Sequence, residues 1–355
     1  MSGTSLDGAD AVVADFSTQH PRVLAFTSAP YPPDLHEELL ALNTAGANEI
    51  ERAALASNRL AAIYADVAQR AMKIANVDRM QIAAIGCHGQ TVRHRPDLGY
   101  TIQLNSPALL AELTDCNIVA DFRSRDIAAG GQGAPLVPTF HDGIFRDANE
   151  ARVVVNIGGI ANLTILELGK TEWGFDCGPG NCLMDAWIAK HRQQAFDENG
   201  TWAAQGKCLA PLLAKFQAAT YFRSPPPKST GRDLFNLAWL EEQMTGHEAP
   251  TDVQATLLAL TAWSIVEHIA RYAPTTTRIL VCGGGAQNAH LLSELSKLSS
   301  CANVSVTDEF GVPAQQVEAL AFAWFAMRAI ERRALDFTAT TGAKHASILG
   351  AIYLG

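Results

Sequence analysis

Three glycine-bearing stretches interrupt or flank β-branched runs: SGTSLDG at 2–8, NIGGIAN at 156–162 and CGGGA at 282–286. Glycine in such a turn can adopt positive φ and let backbone N–H groups approach a phosphate closely. Thr4 and Ser5 add hydroxyl donors, and Asp7 could hold a divalent cation through water. Singly, each stretch also reads as a tight turn. Three together favour a nucleotide, with two loops on the phosphates and the third supporting the adenosine. Neither GxxxxGK[ST] nor GxGxxG occurs, which argues against the common nucleotide folds. Asp176 follows a short run at 172–175 and precedes Gly178, Pro179 and Gly180, just ahead of a helix expected from Asn181. In that place it reads as a turn or cap aspartate, or as a general base kept ionised by the helix N-terminus. HGQT at 88–91 ends a buried-type strand, where polar groups face a crevice at the strand's C-terminal edge. His88 and Asp185 read as structural residues, His94 and Arg95 as surface residues, and Lys228 as a solvated lysine.

The elements that must hold these residues alternate along the whole chain, the signature of an α/β protein. Strands are expected at 11–16, 22–27, 82–86, 100–104, 117–121, 152–157, 161–166, 278–282 and 304–307. Apolar residues at helical spacing over 47–75 predict a long amphipathic helix. Further helices are expected at 181–191, 233–244, 252–272, after Asn288 and at 315–330. Prolines keep 224–231 in loop. Three glycines in four residues make 128–135 the expected domain crossing.

The 355 residues suggest about two domains. A hydrophobic fraction of 48% and a charged fraction of 18% are those of an ordinary globular protein. The net charge of -9 makes nucleic acid and anionic membrane poor partners, though Arg123 and Arg125 could bind a small anion. Seven scattered cysteines without a CxxC pair read as reduced thiols, not a disulfide or zinc framework. No secretory signal is legible, and the apolar window 257–270 is interrupted by Thr261, Ser264, Glu267 and His268, too polar to span a bilayer. A cytoplasmic protein is expected.

The chain resembles the anhydro-N-acetylmuramic acid kinases of the actin, hexokinase and heat-shock-chaperone ATPase superfamily. The matching motifs are MSGTSLDG (1–8), IGCHGQTV (85–92), DFRSRDIAAGGQGAPLVP (121–138), NIGGIANLT (156–164) and DCGPGNCLMDAW (176–187). PPPKSTGRDLFN (225–236), DVQATL (252–257), CGGGAQN (282–288) and EALAFAW (318–324) follow in the family's order. The PPPKSTGR and DCGPGN blocks are the most specific.

The resemblance implies a two-lobed α/β fold of the actin/hexokinase (ribonuclease H-like) type with a central cleft. The first lobe would hold residues 1–125 and 340–355, and the second residues 126–339. It also implies ATP, Mg²⁺, a small amino-sugar substrate and a homodimer. The reaction would be ATP plus 1,6-anhydro-N-acetylmuramic acid plus water giving ADP and N-acetylmuramic acid 6-phosphate, in peptidoglycan recycling. Nucleotide contacts would come from Gly3, Thr4, Ser5, Leu6, Asp7, Gly8, Ala9 and Asp10, with Asp7 on Mg²⁺. Gly158, Gly159 and Asn162 would form the second phosphate loop, and Gly283, Gly284 and Gly285 the adenosine side. Gly89, Gln90, Thr91, Arg123 and Asp176 would contact the sugar, with Arg123 on its lactyl carboxylate. Asp176 takes the family's base position, and Glu318 matches a family glutamate near the attacking water. Family members also carry a short strand ahead of the first loop, whereas this chain opens in the loop. The expectation is a sheet missing its first strand, with weaker stability and weaker nucleotide binding. Two rival functions are a superfamily kinase acting on an ordinary sugar hydroxyl or carboxylate, which would use no water, and a non-catalytic ATP-binding regulator.

Overall fold

In the computed structural model, which describes every residue except Thr4, Ser5, Asp7, Gln19, His20, Ser300, Cys301 and Ala302, the α/β alternation is realised. The described strands are β1 (Gly8–Asp15), β2 (Arg22–Pro30), β3 (Ile85–Cys87), β4 (Gln90–Arg95), β5 (Tyr100–Leu104), β6 (Ile118–Ala120), β7 (Arg152–Ile157), β8 (Ile160–Leu166), β9 (Trp173–Pro179), β10 (Arg278–Cys282), β11 (Asn303–Val306) and β12 (Ala351–Tyr353). The chain forms two compact units, Met1–Phe140 with Gln316–Gly355, and His141–Gln315.

In the first unit β1 pairs antiparallel with β2, β4 pairs with β5, and β3 runs parallel to β6, which β12 flanks. The 27-residue helix Glu49–Ala75 buries Leu60, Ala61, Tyr64, Val67 and Ala71 and packs on β1 and β2. It is the helix that the 3.6-residue periodicity predicts, begun two residues later at Glu49, after Asn48 in the left-handed region. Between the outer edges of β1 and β3 lies a groove of about 550 Å³ lined by Val13, Val67, Ala71, Ile85, Ala319 and Met327. Met1 sits at its end, its N–H and C=O bonded to the C=O and N–H of Asp10 at 2.6 and 2.8 Å.

The expected boundaries after residues 125 and 339 differ from those of the compact units. The loop 128–135 stays within the first unit because Asp126 binds it there. The buried Asp126 carboxylate accepts from Gly133 N and from Thr341 Oγ1, both at 2.7 Å. Gln132 N then donates to Thr341 O, and Lys344 N to Ala129 O. The helix Val317–Ile330, which carries Glu318, also belongs to the first unit, packing on β3 and β1.

The second unit holds the sheet β11–β10–β7–β8–β9. β7 and β10 read Val-Val-Val and Ile-Leu-Val-Cys, fully buried runs that suit parallel strands covered on both faces. The helix Pro250–Tyr272 is longer than expected and, by length and composition, could cross a membrane. It is instead largely buried in this unit through Val253, Leu257, Leu260, Ile265 and Ile269, as a core helix is.

Candidate active site

In the second unit β7 turns into β8 through Gly158 and Gly159. The Gly158 carbonyl accepts from Asn181 N at 2.8 Å, and that of Gly159 from Gly180 N and Cys182 N. The turn is thereby fastened to the start of the helix Cys182–Arg192. Gly180 must be glycine here, since a Cβ would lie 2.3 Å from the Gly158 carbonyl oxygen. The third glycine stretch reaches the same turn. Gly283 has φ +80, and its Cβ would lie 2.4 Å from Asn156 Oδ1. By contrast, a Cβ on Gly158, Gly159 or Gly284 would meet nothing nearer than 3.6 Å. These three glycines therefore leave bare backbone at the turn with room beside it, which fits the approach of an anion such as a nucleotide phosphate.

Sequence reasoning passed over Arg232, although it lies in the quoted PPPKSTGR block. Its guanidinium stands 3.7 Å from the Cβ position of Gly159, placing a cation beside the turn. Burial pushes the nearby Asp185 carboxyl up to about 7, with the Arg232 charge opposing.

Asp176 does not sit in a turn ahead of the helix. It lies inside β9, opposite Asn162 of β8. Its backbone carbonyl accepts from Tyr221 Oη at 2.6 Å, and its Oδ2 from Thr230 N at 3.0 Å. The expected helix terminus is not what sets its charge state. Burial pushes its pKa up to about 6, and the Thr230 amide pulls only partly the other way. Such a group is mostly ionised at neutral pH yet basic enough to take a proton.

Lys228 is not a solvated lysine. Its Nζ donates to Tyr221 O at 3.0 Å and to His268 Nε2 at 2.8 Å. His268 Nδ1 faces the Ser264 carbonyl at 2.6 Å, and a carbonyl only accepts, so the proton is on Nδ1 and Nε2 receives. Burial lowers His268 to about 4 and Lys228 to about 8. This network ties the proline loop, and with it Thr230, to the core helix.

The first unit assembles the other expected residues. Arg123, on the helix Phe122–Ala128, donates Nε–H to His88 Nε2 at 2.9 Å and from Nη1 to Gly133 O at 2.7 Å. Burial lowers Arg123 to about 10, opposed by the charges of Glu318 and Asp126. His88 packs on Phe322 with ring centroids 4.5 Å apart, one helical turn beyond Glu318. Glu318, Arg123 and His88 are thus neighbours. Ser2 Oγ donates to Gly89 O at 3.0 Å, Gln90 Nε2 to Gly3 O at 3.0 Å, and Gln103 Nε2 to Thr91 Oγ1 at 3.2 Å. The start of the chain is thereby bound to the segment 89–91. Leu6 is buried with φ +60, and Gly8, Ala9 and Asp10 stand in β1 rather than in a loop. Thr4, Ser5 and Asp7 lie outside the described residues. Among the described residues no cluster of three His, Cys, Asp or Glu side chains could hold a metal.

Comparison with known proteins agrees with the motifs. A family model described as anhydro-N-acetylmuramic acid kinase matches residues 1–355. The anhydro-N-acetylmuramic acid kinase of Bordetella pertussis is 53% identical over 358 residues, covering 99% of this chain and 94% of the relative. That of Cupriavidus metallidurans is 50% identical over 364 residues, covering 99% and 96%. Among solved structures, the activator of the 2-hydroxyisocaproyl-CoA dehydratase from Clostridium difficile overlays at TM-score 0.45 and 12% identity, covering 92% of each chain.

Proposed function

The chain belongs to the anhydro-N-acetylmuramic acid kinase family, and on that premise we propose that Asp176 is the base of an ATP-dependent, hydrolytic sugar phosphorylation. The enzyme is a phosphotransferase of cell-wall recycling that uses ATP and 1,6-anhydro-N-acetylmuramic acid. The chemistry makes an unusual demand, because the sugar's 6-oxygen is tied into the anhydro bridge and has no proton to lose. Water must attack the anomeric carbon instead. In that step the C1–O bond to water forms and the C1–O6 bond breaks. O6 takes the γ-phosphoryl group as the Pγ–O bond to ADP breaks, and a water proton passes to Asp176.

The observation that carries the reading is the Asp176 carboxylate itself, raised to about 6 by burial and held by the Thr230 amide. A base with a pKa just below neutral combines an ionised resting state with useful proton affinity. Glu318 serves as the second carboxylate and orients water. Arg123, fixed by His88 and Gly133, binds the lactyl carboxylate, while Gly89, Gln90 and Thr91 contact the sugar. On the nucleotide side, bare backbone at Gly158, Gly159 and Gly284 faces phosphate. Asn162, Gly283 and Gly285 support it; the first unit's own nucleotide contacts are assigned to Gly3, Thr4, Ser5, Leu6, Asp7, Gly8, Ala9 and Asp10. Asp7 would be the residue to hold Mg²⁺, which would supply charge neutralisation on the transferring phosphoryl. The protein acts in the cytoplasm as a homodimer. The test is whether ADP release depends on the anhydro sugar.

A further inference from the structure

The β4–β5 hairpin and the residue after it carry side-chain amides whose buried oxygens the proposed reaction leaves partly unused. Gln90 is fully buried, and its Nε2 donates to Gly3 O at 3.0 Å. Because a carbonyl only accepts, this partner fixes which end of the amide is nitrogen. Asn105 Nδ2, which faces Cys87 O at 3.5 Å, is oriented in the same way. Gln103 Nε2 donates to Thr101 Oγ1 at 2.7 Å as well as to Thr91 Oγ1. The opposite ends, Oε1 of Gln90, Oε1 of Gln103 and Oδ1 of Asn105, are buried and meet no donor among the described residues.

The side chains that carry these acceptors set out from around Gly89: Gln90 follows it in sequence, and Gln103 and Asn105 flank it across the hairpin. Gly89, with φ +77, packs so closely that a Cβ on it would lie 3.2 Å from Gln103 Cβ and 3.3 Å from Asn105 Cβ. An unsatisfied buried amide oxygen costs about 1–3 kcal/mol, and native folds leave few of them. Three on one hairpin, beside the segment 89–91, suit a ligand that brings donors. Neutral amide oxygens reject phosphate and carboxylate, which are themselves acceptors, and select uncharged N–H and O–H groups.

We propose that Gln103 and Asn105, together with Gln90, are specificity-determining acceptors for the sugar's acetamido N–H and free hydroxyl groups. The inference rests on the sugar-kinase reading above, in which Gln90 already contacts the sugar, and adds Gln103 and Asn105 to it. The test measures KM for 1,6-anhydro-N-acetylmuramic acid and for ATP in Gln103→Ala, Asn105→Ala and the acceptor-keeping Gln103→Glu, with melting temperatures as the control for folding. A 2-deoxy analogue lacking the acetamido group is run beside the natural sugar. Each alanine variant should raise the sugar KM about 5- to 10-fold, as loss of one hydrogen bond does, and leave the ATP KM unchanged. Preference for the natural sugar over the analogue should shrink by a similar factor. Gln103→Glu should stay near wild type. Unchanged sugar KM values in folded alanine variants, or a raised ATP KM instead, would overturn the assignment of Gln103 and Asn105 while leaving the kinase reading in place. A wild type that ignores the sugar would remove both.

Discussion

The backbone amide of Thr230 donates to Oδ2 of Asp176 across 3.0 Å, so the proline-rich loop holds one oxygen of the carboxylate that burial lifts to about 6. One residue of the same loop, Lys228, is itself fastened to His268 on the core helix. The loop is therefore a brace for Asp176, and substitutions in it should act through that carboxylate.

Asp176→Asn keeps the shape and removes the basicity. Turnover should fall at least ~10²-fold, the low end for losing a general base, with ATP affinity unchanged. Near wild-type turnover would take Asp176 out of the mechanism.

The same variant should be the more stable protein at neutral pH. Asp176 has a folded-state pKa of about 6 against 3.8 for an ordinary aspartate. A raised pKa means that its favourable contribution is complete below about pH 4 and is lost as pH rises through about 6. Asparagine carries no such loss and should gain on the order of 1–3 kcal/mol at pH 7. Melting curves of both proteins from pH 4 to 7 should diverge as pH rises. Parallel curves would contradict the burial of this carboxylate.

The wild-type pH profile follows from the same group. kcat/KM should fall about tenfold per pH unit below about 6, where Asp176 takes up its proton. An acid limb centred near 4 would point to an ordinary exposed carboxylate as base.

How much of this was legible beforehand differs from residue to residue. The glycine turns, the VVV and ILVC strands and the long helix announce themselves because local composition decides them. Asp176 was recognisable by its motif but misplaced. WGFDCGP has no alternating pattern, and only pairing with β8 makes it a strand. Glu318 was drawn into the wrong unit because its helix joins the first unit through packing on β3, a long-range contact that no local pattern records. Lys228, Arg232, Gln103 and Asn105 escaped for the same reason. Burial turns such ordinary polar residues into a brace, a cation at a turn, or a set of unmatched acceptors.

Glu318→Gln should reduce turnover less than Asp176→Asn does, since orienting water is worth less than accepting its proton. If Glu318→Gln abolishes catalysis while Asp176→Asn is mild, the two roles are reversed.

The most direct test is ADP release with and without 1,6-anhydro-N-acetylmuramic acid, run in ¹⁸O-water with rapid quenching and mass analysis of the sugar phosphate. ADP release should require the sugar, and the product should carry one heavy oxygen at C1 and none in its phosphate. ADP release indifferent to the sugar, or a product without heavy oxygen at C1, would contradict attack by water on the anomeric carbon.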